Sequence, residues 1–363
     1  MDCLPLTPRR LLKHFCTLAL TLWVAAALAQ TSGHPAAQRI ELGASGQRYP
    51  FVIYSNRPWS GDMRQVESAV FVFHGVARNG DAYYDAAHQL LAASDPANGA
   101  TLLIAPNFFS RADAQRFPVA GLPLWEGERG WNGGWDAANW SRPLSAFEPI
   151  DDLLAALLDH QRFPALKSIV VAGHSGGGQI VHRYAVLNRM DERVRAAGKS
   201  LRYVIANPSS YMYFSPVRPA PDGGFAAPDA ATCPGYDIYR YGVGGLVRYA
   251  QGASGPALFG RYAGRDVVYL LGTADNDPNH RVLDRSCMAR TQGAHRLERG
   301  RHYIRYEQRQ AGNTVPLNRQ AWEVIGVGHD QARMFGSRCG ARLLLALPED
   351  RNPGGANCRP GCP

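Results

Sequence analysis

Short apolar runs recur along the chain, with amphipathic stretches between them. In Ser68–His74 the run Ala-Val-Phe-Val-Phe leaves no polar face. A strand that is apolar on both faces is one covered on both faces, as in a parallel sheet with helices above and below. Ala100–Ala105, Leu166–Ala172, Leu201–Ala206 and Asp266–Leu271 share this character, and Tyr49 opens an earlier run, Tyr-Pro-Phe-Val-Ile-Tyr. Pro106 is expected to end the run that begins at Ala100. Tyr83–Ala93, Phe147–His160 and Gln179–Met190 carry apolar residues at helical spacing. Glu323–Val327 reads as a last strand. Ala332–Leu347 reads as a helix after it, weakened by Gly336 and Gly340.

Strand and helix therefore alternate, which predicts an α/β fold with a mostly parallel sheet flanked by helices. Two segments break the alternation. Residues 110–145 have no period, and 208–262 are rich in Gly, Pro and Tyr. Both read as excursions from one domain spanning 30–363, and residues 30–50 read as its short leader. The end of the chain is a Cys/Pro/Gly-rich tail.

Before that domain, Arg9, Arg10 and Lys13 precede an uncharged apolar run from Phe15 to Ala29 that ends Ala-Leu-Ala. This is the layout of a signal peptide, with cleavage after Ala29. The run is shorter than the ~20 residues of a membrane span. The mature protein is thus expected in the periplasm or outside the cell, without an integral membrane segment. Its five remaining cysteines, Cys233, Cys287, Cys339, Cys358 and Cys362, favour one or two disulfides, Cys358–Cys362 being one way to staple the tail. They lack the close pairs that structural zinc needs, so no metal is expected.

Composition narrows the function classes only coarsely. With 45% hydrophobic and 19% charged residues, the chain is neither a disordered tail nor a polytopic membrane protein. The formal charge of +9 falls to +7 once Arg9, Arg10, Lys13 and Asp2 are removed. The cations are scattered, densest at Arg296–Arg305, and no nucleic-acid-binding spacing accompanies them, so no nucleic-acid partner is expected.

Residue order is more specific. Gly173-His174-Ser175-Gly176-Gly177 follows an apolar strand and precedes a helix. In that setting Gly-x-Ser-x-Gly puts Ser175 on a sharp turn with its hydroxyl above the sheet edge, as a nucleophile. Such a serine needs a base and an orienting acid, in the chain order Ser, Asp, His. The strand Asp266–Leu271 runs into Gly-Thr-Ala-Asp, placing Asp275 just past its end, with Asp277 as the alternative acid. His329 follows the last strand and is the expected base, ahead of His182, His280, His295 and His302. The oxyanion hole needs two convergent backbone donors. Gly176 supplies one, and Val76, after Phe73-His74-Gly75, the other, with His74 supporting the loop.

Together these residues resemble the α/β-hydrolase superfamily, in the region of secreted esterases, feruloyl esterases and polyhydroxyalkanoate depolymerases. The likeness rests on His74-Gly75, Gly173–Gly177, Gly272-Thr273-Ala274-Asp275 and Gly328-His329, and covers roughly 49–347. It is also similar, through Ala206-Asn207-Pro208-Ser209-Ser210-Tyr211, to a bacterial and fungal branch of that superfamily. The resemblance implies a covalent acyl-serine intermediate and no cofactor. An esterase is the leading expectation. A peptidase or amidase of the same fold is the alternative, and a polymer-binding module without turnover is a third reading. Trp125, Trp131, Trp135 and Trp140 in the first excursion, with Tyr211 and Tyr213 in the second, either line a cleft for an aromatic or polymeric substrate or pin the excursions to the core. The oligomeric state stays open.

Overall fold

The computed structural model describes residues 34–94, 99–127, 130–345, 347 and 354–361. The expected targeting segment and Cys362 lie outside them. The strands are β1 (Ala37–Leu42), β2 (Tyr49–Ser55), β3 (Ser68–Phe73), β4 (Thr101–Asn107), β5 (Ser168–His174) and β6 (Ser200–Ala206). They continue with β7 (Arg218–Pro219), β8 (Phe225–Ala226), β9 (Asp266–Gly272), β10 (Arg319–Val324) and β11 (Cys358–Pro360). Nine of these form one sheet in the order β1-β2-β4-β3-β5-β6-β9-β10-β11, while β7 and β8 form a separate ribbon. The centre, from β4 to β10, is parallel, and both margins are antiparallel.

The two-sided apolar pattern of the central strands has a direct cause. Side chains alternate between faces along a strand, and both faces are covered. Phe71, Phe73, Ile169, Val171, Ile205 and Tyr269 pack on one side, under helices α2 (Glu148–Leu157), α3 (Gly176–Leu187), α5 (Gly255–Ala263) and α7 (Arg296–Ala311). Val70, Val72, Val170, Ala172, Val204 and Val268 pack on the other, against α1 (Gly80–Ser94), α8 (Gln331–Phe335) and α9 (Arg338–Leu345). Each fully buried Val, Ile or Phe contributes about 1.5–3 kcal/mol, so this double core carries the fold.

Several expectations need correction. Residues 37–42, read as leader, form β1, which pairs antiparallel with β2. Pro106 does not end β4 but lies inside it, opposite Ile53. The ladder to β3 has already stopped at Ile104, so a missing N–H on that side breaks no pairing. The last parallel strand is Arg319–Val324, earlier than expected, because the half-exposed Arg-Gln-Ala-Trp stretch hides its pattern. Gly336 splits the following helix into α8 and α9. The basic stretch near Arg296 is helix α7, whose Leu297, Gly300, Tyr303 and Ile304 are buried at helical spacing. Neither of its histidines is freely solvated: His295 caps the helix, and His302 bonds the Gln292 carbonyl at 2.9 Å.

Two disulfides close loops in the second half of the chain. Cys233 joins Cys287 with a Cα separation of 5.7 Å, and Cys339 joins Cys358 at 6.0 Å. The Cys358–Cys362 staple is thereby replaced, since β11 brings Cys358 alongside α9.

Candidate active site

The end of β5 turns into α3 through Ser175, whose φ of 61° and ψ of −119° are rare for a residue with a side chain. Such strain costs on the order of 1–3 kcal/mol and persists only where the surroundings enforce it. Here the Ser175 N–H is held by the Ala206 carbonyl at 3.0 Å. A Cβ on Gly173 would strike the Gly177 backbone, and one on Gly177 would strike the Phe73 carbonyl. The glycines of the motif are thus required by the close approach of β3, β5 and α3.

Two other strand ends converge on the serine. His329 Nε2 lies 2.9 Å from Ser175 Oγ, and His329 Nδ1 lies 2.7 Å from Asp275 Oδ2. With the carboxylate accepting, Nδ1 carries the proton and Nε2 is left to accept from the serine hydroxyl. The acid and base loops are also tied to each other. The Thr273 and Ala274 N–H groups donate to the Val324 and Val327 carbonyls at 3.0 Å each, and the Gly326 N–H donates to Thr273 Oγ1 at 2.8 Å. This link fixes the distance between carboxylate and imidazole through the backbone. Asp277 stays exposed and accepts the Asn279 N–H; it faces a turn, not the imidazole.

A residue of the basic stretch Arg296–Arg305 that sequence reasoning did not single out completes this arrangement. Arg296, 1% exposed, reaches Asp275 Oδ1 at 3.2 Å, His280 Nδ1 at 3.3 Å, Ser209 Oγ at 3.1 Å and the Val282 carbonyl at 2.9 Å. Burial pushes the Asp275 carboxyl up, but the His329 hydrogen bond and the Arg296 charge outweigh it and hold it below its ordinary value. Burial pushes His329 down, Arg296 and His280 add to that, and Asp275 opposes it without reversing the direction. His329 is therefore a neutral base at neutral pH. His174 was missed as well, and His280, set behind His329 as a base, proves to be its neighbour. Their rings lie 4.5 and 5.0 Å from that of His329, and His174 is so buried that its pKa falls well below the usual range.

The loop after β3 forms the opposite side. A Cβ on Gly176 would sit 3.1 Å from the Val76 nitrogen, and one on Gly75 would sit 3.8 Å from Ser175 Oγ. The two expected backbone donors thus flank the serine. Among the described residues neither N–H has a protein acceptor. His74 supports the loop: its Nε2 accepts the Phe108 N–H at 3.0 Å, leaving Nδ1 to donate to the Gly75 carbonyl at 2.8 Å. Arg78 and Arg116 brace it further through the Val76 and Ala77 carbonyls, at 3.0 and 3.2 Å.

Above Ser175 opens a cleft of about 450 Å³, bordered by Val76, Tyr83, His174, Arg281, Val282 and Gln331 among others. None of the candidate aromatic residues borders it. Trp125 and Trp131 are buried, Trp131 packing on His74 at 4.4 Å, while Trp135 and Trp140 lie half-buried against the core. Tyr211 and Tyr213 are fully buried and pack on Tyr303. These rings pin the two excursions to the sheet, because an irregular segment needs apolar anchors where it has no ladder of its own.

No family model matches the chain, and no curated protein matches it in sequence. Solved structures do. A poly(3-hydroxybutyrate) depolymerase from Bordetella parapertussis superposes with a TM-score of 0.60 at 23% identity, covering 88% of this chain and 93% of the other. Poly(aspartic acid) hydrolase-1 from Sphingomonas sp. KT-1 superposes at 0.56 and 24% identity, covering 82% and 95%. The fold is that of the α/β-hydrolases, a large and mostly parallel sheet flanked by helices.

Proposed function

We propose that this chain is a serine hydrolase that cleaves carboxylic esters through an acyl-serine intermediate. The observation that carries this reading is the pair of short hydrogen bonds from Ser175 Oγ through His329 to Asp275. Ser175 attacks the ester carbonyl while His329 Nε2 takes its proton. The carbonyl oxygen, now negative, is received by the N–H groups of Val76 and Gly176. His329 then protonates the departing alcohol, leaving the acyl group on Ser175. Water, deprotonated by the same imidazole, releases the acid and restores the serine. Asp275 keeps the ring in the required tautomer and stabilises its charged form.

Both neighbours named above are described as acting on polymers, which supports an oligomeric acyl substrate. The two disulfides support export to an oxidising compartment, with residues 1–29 removed and one domain left. Ser175→Ala tests the central claim. The wild type should be labelled by a fluorophosphonate and should hydrolyse activated esters, and the variant should do neither. Labelling that persists in the variant overturns the assignment, and faster turnover of matched amides than of esters overturns the substrate class.

A further inference from the structure

The cleft above Ser175 has an unbalanced charge. Among the described residues its lining includes no carboxylate and one permanent cation, Arg281. Arg281 is exposed, and among the described residues no carboxylate lies within ion-pair distance of it. Of the carboxylates nearest it in sequence or beside His329, Asp275 is buried between His329 and Arg296, while Asp277 and Asp330 accept the Asn279 and Arg333 N–H groups and pair with no cation among the described residues. An uncompensated guanidinium beside a nucleophile has no structural task there, since it braces nothing.

Two further cations stand behind the lining residues Val76 and Ala77, whose carbonyls accept from Arg78 and Arg116. Arg78 and Arg116 both bind the single carboxylate of Asp113, at 2.5 and 2.7 Å. Asp113 is buried while Arg116 is half exposed, so this cluster presents one net positive charge next to Val76 and Ala77. The lining also offers the apolar side chains of Val76, 39% exposed, and Val282. His174 and His329 in the lining, and His280 beside His329, all have depressed pKa values and add no charge at neutral pH.

Resting on the serine-hydrolase reading, we propose that the cleft selects esters bearing a second, free carboxylate, received by Arg281. Such compounds are hemi-esters of dicarboxylic acids and short oligoesters that end in a free acid. The apolar strip takes the few carbons between the scissile carbonyl and the carboxylate, and the guanidinium receives the anion in two parallel hydrogen bonds. The attraction between Arg281 and an anionic ester is one that salt screens.

The test uses charge-matched pairs. 4-Nitrophenyl hemiglutarate is compared with its methyl ester, placing the carboxylate on the acyl side. 4-Carboxyphenyl butyrate is compared with its methyl ester, placing it on the alcohol side. For at least one pair, the wild type should show kcat/KM for the acid about fivefold above the ester at low ionic strength, falling toward parity in high salt. Arg281→Gln should bring that ratio to about one, and Arg281→Glu should invert it. Arg285→Gln, which changes an exposed arginine outside the cleft lining, should preserve it. A wild-type ratio of one for both pairs, a ratio that survives Arg281→Gln, or one that Arg285→Gln abolishes equally overturns the proposal. Those failures leave fluorophosphonate labelling of Ser175 intact. Loss of labelling and of all ester turnover in the wild type instead overturns the hydrolase reading beneath it.

Discussion

Asp275 and Arg296 define what single residues do in this site. Replacing Asp275 by Asn leaves a side chain of the same shape, but its amide can donate to Nδ1 and move the imidazole proton to Nε2. Ester turnover should fall by on the order of 10³-fold or more while fluorophosphonate labelling becomes slow, which stopped assays at several probe times would show. Arg296 acts at one remove. His329 must be neutral to accept the serine proton, and its pKa lies below the ordinary histidine value. The acid limb of kcat/KM should therefore lie below pH 6.5, with activity rising as pH passes through it. Arg296→Gln removes one of the charges that disfavour imidazolium, so the limb should move to higher pH. A limb that stays in place would show that burial alone sets it. Ser175 and Asp275 were legible because each follows the carboxyl end of an apolar strand, and His329 because it comes after them in the chain order the triad requires. Arg296 was not, since a basic stretch looks alike whether its guanidiniums meet water or a buried carboxylate.

At the scale of elements, the elbow and the paired loops carry the precision. A methyl group at position 177 would collide with the Phe73 carbonyl, which neighbouring strands hold in place. Gly177→Ala should lower stability by roughly 2–4 kcal/mol and reduce activity in whatever folds, seen as a lower urea midpoint with an unchanged slope. The same mutation at Gly198, which has a positive φ but open space around it, should cost only the milder backbone strain of about 1 kcal/mol. The central strands could be read from sequence because burial on both faces imposes a continuous apolar run. Helix α7 and the start of strand β10 escaped for the opposite reason. Each buries a glutamate against an arginine of the other, Glu307 with Arg319 at 3.2 Å and Glu323 with the half-exposed Arg301 at 2.6 Å. A one-letter pattern cannot show that a charge is neutralised by a partner from another element.

For the whole molecule, long-range closures and buried acids set stability. The Cys233–Cys287 bridge spans 54 residues and the Cys339–Cys358 bridge spans 19. By loop entropy they contribute about 4 and about 3 kcal/mol, so Cys233→Ser/Cys287→Ser should lower the melting temperature more than Cys339→Ser/Cys358→Ser. Asp151 adds a pH term. Burial raises its pKa to about 6, against the hydrogen bonds donated by Tyr184 and Tyr249. A folded value above the unfolded one means that its stabilising contribution is complete below about pH 4 and is lost as pH rises through 6. Asp151→Asn should flatten the fall in denaturant stability between pH 4 and 7. By itself the sequence determined the alternation of strand and helix, the strained serine turn and the chain order of acid and base, because these depend on local geometry and on apolar runs. Only the tertiary structure decided that the tryptophans are anchors, that Cys339 takes Cys358, that Arg296 backs the acid and that Arg281 lines the cleft without an ion pair among the described residues. Those outcomes depend on which side chains from distant segments meet, and no spacing along the chain encodes that.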